Sequence, residues 1–210
     1  SNFLNSNMNS EQRYILALSF IKGFGDNRIK NLITYAKSAQ NVWEGSKDEL
    51  MKINGIGPKL ISEIGKSKYL EQADQEIEFC RLHQISILTF LDDNYPSLLK
   101  ECPDYPAVLF TKGNVRFENS LKIAIVGTRK MTSYGKFFID ELIDGLKNFD
   151  VTIVSGLAYG CDIYAQSLAL QHGLPTWAVL AHHLNHIYPS KHTKIAEDML
   201  ENGGWISEQA

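Results

Sequence analysis

Long hydrophobic runs are missing from this chain. Nowhere does it approach the ~18 consecutive apolar residues that a membrane-spanning helix requires, so no span is expected. Cysteine is scarce: Cys80, Cys102 and Cys161 are odd in number and far apart. They fit neither a disulfide framework nor a C-x-x-C metal site, and they point to a reducing, cytoplasmic setting. Nor is there an excess of one charge. With 21 Lys and Arg against 24 Asp and Glu the net charge is −3, so any contact with nucleic acid must come from a local basic patch. The opening stretch, SNFLNSNMNS, has no charged segment followed by an apolar core, which excludes a secretory signal. It is polar and rich in Asn and Ser, and residues 1–10 are expected to form a disordered leader.

What is present is the composition of a folded α/β chain. Of 210 residues, 44% are apolar and 21% charged, ordinary for a globular protein with a real core. Residues 11–83 read as a small all-helical domain. Ile29, Leu32, Ile33 and Ala36 recur at helical spacing, as do Leu70, Ala73, Ile77 and Cys80. Residues 84–121 read as a connector with some strand content, packing on the Rossmann-like domain C-terminal to it: Ile85 to Phe90 and Val108 to Phe110 are strand-like, separated by Pro96, Pro103 and Pro106. From residue 122 to 210 apolar strands and amphipathic helices alternate, predicting a Rossmann-like, doubly wound parallel sheet. The helix from about Tyr134 to Phe149 is expected to bury Phe138, Ile139, Leu142, Ile143 and Leu146. A sheet that stops near Ala210 leaves one strand edge and one face poorly covered, so the domain is expected to be truncated.

Within the helical domain IKGFGDNRIKNLI (21–33) is repeated as INGIGPKLISEI (53–64), 32 positions later. Apolar-x-Gly-apolar-Gly before a helix is the hairpin of a helix-hairpin-helix motif, whose exposed backbone N–H groups can grip a phosphate without reading sequence. Gly55, Gly57 and Lys59 of the second copy are candidate secondary DNA contacts, with Lys52, Lys66 and Lys68 nearby and Glu63 as the one acid. A purely structural packing role for both hairpins stays open.

The richest stretch runs from Lys122 to Ala165. Ile123–Val126 end at Gly127-Thr128-Arg129, and Thr152–Val154 end at Ser155-Gly156. Glycine-containing strand-to-helix turns leave backbone N–H groups facing outward, and the helix N-terminus adds positive dipole. The two turns should lie side by side at the carboxyl edge of the sheet as an anion-binding rim. Thr128 offers a hydroxyl, Arg129 a planar fork suited to phosphate oxygens, and Lys130, Ser133 and Lys136 further donors. Ser155 and Gly156 are expected to present donors opposite, Asp162 to cap the next helix, and Tyr159 either to stack on a base or to pack inside. No G-x-G-x-x-G follows the first of these strands, which counts against NAD or FAD. His182, His183, His186 and His192 cluster after the third strand, yet no cysteine lies near and adjacent histidines rarely converge on one ion. Neither a metal nor a cofactor is expected. No Ser/His/Asp or Cys/His arrangement is legible, so no catalytic residue is assigned.

These residues together resemble the DNA-processing protein A family (DprA, also called Smf). The resemblance covers roughly residues 11–210. It is carried by YPSLL (95–99), PAVLFTKGN (106–114), IAIVGTRKMTSYG (123–135), VSGLAYGCDIYA (154–165), AVL (178–180), IYP (187–189) and GGWISE (203–208). It implies a SAM-like helical module followed by an extended Rossmann domain, in a bacterial cytosolic protein that is not an enzyme. Such a protein binds single-stranded DNA irrespective of sequence, protects incoming DNA during natural transformation and helps load RecA. It also implies a phosphate pocket of Gly127, Thr128 and Arg129 facing Ser155, Gly156 and Gly160, with Lys191 adding charge along the DNA path. The chain departs from the family pattern at Gln166, Cys161 and His192. It also lacks the later F-P-x-R-N-R segment, which completes the sheet and carries the surfaces for homodimerisation and RecA binding. Two other readings stand beside this one: a nucleotide-binding or nucleotide-hydrolysing Rossmann enzyme, and a helical interaction module with an inert Rossmann partner.

Overall fold

The structure, a computed structural model, describes residues 2–118 and 120–210, with side chains from residue 10 onward. Ser1 of the expected leader and Asn119 of the expected connector lie outside the described residues. Two compact units emerge, Ser1–Leu82 with Ile87–Val108, and His83–Ser86 with Leu109–Ala210.

The first unit begins with helix α1 (Asn2–Ser19), followed by α2 (Asp26–Ala36), α3 (Ala39–Glu44), α4 (Lys47–Leu50), α5 (Pro58–Ile61) and α6 (Ser67–Leu82). No Gly or Pro interrupts residues 2–19, so α1 runs back through the segment expected to be disordered, and the helical unit takes it in. Ile15, Leu16 and Leu18 are fully buried, and α1 packs on α3 and α6. The Glu11 carboxylate accepts the Ala39 and Gln40 N–H groups at 2.7 and 3.1 Å at the start of α3, while Tyr14 donates to Glu44 at 2.7 Å. Arg13 meets Asp74 through a two-pronged pair at 2.5 and 2.7 Å.

Most of the expected connector belongs to this helical unit rather than to the sheet domain. Three polar ties account for that. The Asp26 carboxylate accepts the Ala107 N–H at 2.8 Å, and Gln12 donates to the Ile87 carbonyl at 2.8 Å. The buried Lys30 ammonium donates to the Tyr105 carbonyl at 2.6 Å and sits 3.2 Å above the Tyr105 ring.

The sequence repeat is a structural repeat. In the first hairpin Phe24 N donates to Ile21 O and Ile29 N to Gly25 O; in the second, 32 positions on, Ile56 N donates to Ile53 O and Ile61 N to Gly57 O. Gly23 and Gly55 hold φ of 99° and 85°, the left-handed region that glycine enters without steric cost. Gly25 and Gly57 are the extended N-cap residues of α2 and α5.

Strands β1 (Ile85–Thr89), β2 (Val108–Gly113), β3 (Leu121–Ala124), β4 (Val151–Ser155), β5 (Thr176–Leu180) and β6 (Gly204–Ser207) form one sheet in the order β1-β2-β6-β5-β4-β3. β3, β4, β5 and β6 run parallel, and β2 pairs antiparallel with β6. The result is a mixed but mostly parallel Rossmann-like sheet. Helix α7 (Ser133–Leu146) joins β3 to β4, α8 (Cys161–Gln171) joins β4 to β5, and α9 (Thr193–Asp198) precedes β6. Ile125, Ile139, Ile143, Val151, Ile153, Ala165, Ala169 and Leu174 make the core between α7, α8 and the sheet. Phe138, expected inside, is 56% exposed. α7 turns Ile139 and Ile143 inward with Leu142 and Leu146 at the margin, and this narrow stripe leaves Phe138 on the far side of the helix. Among the described residues no helix is long and apolar enough to cross a membrane.

Candidate nucleic-acid interface

The carboxyl ends of β3, β4 and β5 stand next to one another, and each releases a loop there. The first loop leaves β3 after Ile125, whose N–H donates to Val154 O at 2.9 Å and extends the ladder by one residue. Val126, Gly127, Thr128, Arg129 and Lys130 are all exposed. Thr128 Oγ1 accepts the Lys130 N–H at 3.1 Å, which shapes the turn. Thr132 caps α7 by accepting the Gly135 N–H at 3.1 Å. Among the described residues the N–H groups of Gly127, Thr128 and Arg129 make no hydrogen bond, and Arg129 and Lys130 make no ion pair. Ser133 is exposed at the first helical position of α7. This loop therefore gathers open donors and two unneutralised cations over a helix N-terminus.

In the second loop Ser155 and Gly156 are engaged internally, which corrects the expectation that these two present donors opposite. The Ser155 hydroxyl is buried and donates to Ile125 O at 2.6 Å. The Gly156 N–H is taken by the Asp162 carboxylate at 3.1 Å, and the Leu157 N–H by Gln166 Oε1 at 3.0 Å. Leu157 is buried with φ of 57°, and its carbonyl is bonded by His192 Nδ1 at 2.7 Å. Gln166, fully buried, continues inward to Trp177 O at 2.9 Å and Thr176 Oγ1 at 3.2 Å. Asp162 is not the N-cap of α8: that residue is Gly160, and the Asp162 side chain turns back to the loop instead.

Gly160 makes the two loops touch. It holds φ of 82°, and a Cβ there would lie 2.2 Å from the Thr128 carbonyl oxygen. The next N–H, that of Cys161, donates to the same carbonyl at 3.1 Å. So the loops do lie side by side, but Gly160 serves as the point of close approach between them. The first loop is braced by the second through this contact.

The third loop follows β5. His182 and His186 stack with centroids 4.9 Å apart, His183 hydrogen-bonds the Ala210 carbonyl at 2.7 Å, and His192 lies buried against Leu157 and Tyr159. The four histidines thus separate into three local roles. Among the described residues no group of three or more His, Cys, Asp or Glu side chains is placed to hold a metal ion. Lys191 is exposed beside the buried His192. Beneath the rim Tyr164 donates to Asp140 at 2.5 Å, tying α8 to α7; burial first, then that bond, pushes its hydroxyl up to about 12.

In the helical unit Gly55, Gly57 and Lys59 are exposed on the second hairpin, and a Cβ at either glycine would meet nothing within 4 Å. Of the neighbouring lysines, Lys66 and Lys68 pair with Glu63, and Lys52 with Glu49. Sequence reasoning had no signal for Gln166 and His192 as the braces of the second loop, because neither spacing nor residue type marks a buried side chain that finds its partner in a loop.

A Rossmann-like sheet with an exposed Gly-Thr-Arg-Lys loop at its carboxyl edge, joined to a paired-hairpin helical unit, defines the class. Residues 86–210 match the family model of DNA recombination-mediator protein A, and the chain belongs to that family. It is similar to protein Smf of Synechocystis sp., 35% identical over 208 residues, covering 95% of this chain and 51% of that protein. It is also similar to DNA processing protein DprA of Streptococcus pneumoniae, 39% identical over 133 residues, covering 63% of this chain and 45% of that protein. The X-ray structure of DNA processing protein A from S. pneumoniae superposes with a TM-score of 0.73 at 29% identity, covering 93% of this chain and 67% of that one. DNA processing protein A of Helicobacter pylori, described for its single-stranded DNA binding mode, superposes with a TM-score of 0.52 at 34% identity, covering 60% of this chain and 55% of that one. The chain spans about half the length of the curated relatives it matches.

Proposed function

We propose that this chain binds single-stranded DNA without base-sequence preference, holding the sugar–phosphate backbone on the loop Gly127–Lys130. The observation that carries the reading is the exposed first loop, which keeps three backbone donors and two cations open, while Ser155, Gly156 and Leu157 of its neighbour are engaged internally. Arg129 supplies the bidentate grip, Lys130 and Ser133 add donors, and Lys191 extends the positive path. Ser155, Gly156 and Gly160 act as scaffold for that loop. Gly55, Gly57 and Lys59 provide a secondary, weaker backbone contact within the helical unit. The biological setting is the bacterial cytoplasm, where the full-length protein handles incoming DNA in natural transformation, pairs with a second copy and passes DNA to RecA. Its role is binding and hand-over, with no catalytic step.

Fluorescence anisotropy with a labelled oligonucleotide at low salt tests this directly. Arg129→Ala should weaken binding by about tenfold or more, the scale of a lost charge-assisted hydrogen bond. Lys59→Ala should weaken it only severalfold. Unchanged affinity in Arg129→Ala refutes the assignment of the loop. Release of base or phosphate from free nucleotides by the wild-type chain would favour the enzymatic alternative.

A further inference from the structure

The sheet domain contains four tyrosines, Tyr134, Tyr159, Tyr164 and Tyr188. Tyr164 lies inside α8 and is bonded to Asp140. The other three sit at the carboxyl edge, one after each of the adjacent parallel strands β3, β4 and β5, and their exposures are 76%, 43% and 69%. A single exposed aromatic is ordinary on a protein surface. Three on one edge, one after each strand and interleaved in sequence with Arg129, Lys130 and Lys191, form a pattern.

Each tyrosine also stands on an ordered piece of backbone. Tyr159 stands edge-on to His192, with centroids 4.9 Å apart and planes at 70°, and His192 is itself pinned to the Leu157 carbonyl. With that contact made, Tyr159 is still 43% exposed. Tyr188 projects outward between Ile187 and Pro189, both buried, so its backbone is held while its ring is open. Tyr134 lies in the first turn of α7, directly after the capped N-terminus. Exposed aromatics beside cations are what an unpaired strand needs: its phosphates meet the charges and its splayed bases meet the ring faces.

Resting on the backbone-binding reading above, we propose that Tyr134, Tyr159 and Tyr188 form a row of stacking platforms across the strand ends. The ligand is then nucleic acid with unpaired bases, because bases stacked within a duplex present no free face.

The test compares two single strands of equal length and phosphate count, one bearing bases and one abasic throughout. Wild type should bind the base-bearing strand more tightly. Tyr159→Ala and Tyr188→Ala should each lower that affinity by about 5- to 100-fold, the range for losing one base–aromatic stack. Both should leave the abasic strand's affinity unchanged, and Tyr→Phe at either position should restore binding because it keeps the ring. Arg129→Ala should weaken both strands alike. Tyrosine variants that bind the base-bearing strand as wild type does, or that lose both strands equally, overturn the stacking row while the backbone grip stands. Wild type that binds neither strand removes both readings.

Discussion

Gly160 shows how one residue decides the shape of the rim. Its φ of 82° and the approach of the Thr128 and Arg129 backbone leave no room for a side chain. Gly160→Ala should therefore cost about 1–3 kcal/mol of stability, the range for strained backbone, and it should also displace the first loop. Chemical denaturation combined with DNA affinity checks this: both should fall together, whereas loss of stability with native affinity would show that the loops are not mechanically joined. Leu157, Gln166 and His192 act on the same principle from the other side. A buried leucine with positive φ persists because its N–H and its carbonyl each have a fixed partner.

Elements respond to which of their faces is covered. The period of α7 announced Ile139 and Ile143 correctly, yet the same apolar pattern also offered Phe138, and only docking on the sheet selects one stripe. The second hairpin is shaped by charge as well as by glycine. Glu63 accepts hydrogen bonds from Lys66 and Tyr69 and lies near Lys68, which hold its carboxyl at about 2, below the usual 4.5. A carboxylate depressed on folding stabilises the folded state in full above about pH 4.5, and that contribution fades as the pH falls toward about 2. Glu63→Gln should thus lower stability at neutral pH and shrink the acid sensitivity of unfolding between about pH 4.5 and 2. A carboxyl NMR titration of the wild type provides the second check, and a midpoint near 4.5 would contradict the geometry.

Across the whole molecule a net charge of −3 coexists with a local run of cations at one sheet edge. The proposed binding would then depend on a few local contacts and on salt. On the proposed reading, Arg129, Lys130 and Lys191, with Lys136 at the next turn, would neutralise three or four phosphates. A plot of log affinity against log salt concentration should have a slope of about −2 to −3 for a single strand. A flat plot would place the affinity outside this edge. The division into two units also belongs to this scale. Pro-punctuated residues between Ile87 and Val108 read as a link, yet Asp26, Gln12 and Lys30 draw them onto the helices through contacts some 75 to 81 positions apart in sequence.

Local pattern carried much of this protein. Hydrophobic period placed α7, α8, β4 and β5 to within a residue or two at most ends, and the 32-residue repeat announced two hairpins that share the two hydrogen bonds named above. Glycine, threonine and arginine at a strand end marked the exposed loop, because turn geometry and charge are encoded by neighbours in sequence. Tertiary structure alone decided that Ser155 and Gly156 are spent internally, that Asp162 faces back to the loop and that Gln166 bridges it to β5. Those outcomes turn on which buried donor finds which acceptor once helix and sheet have closed together, and that pairing is a property of the packed interior.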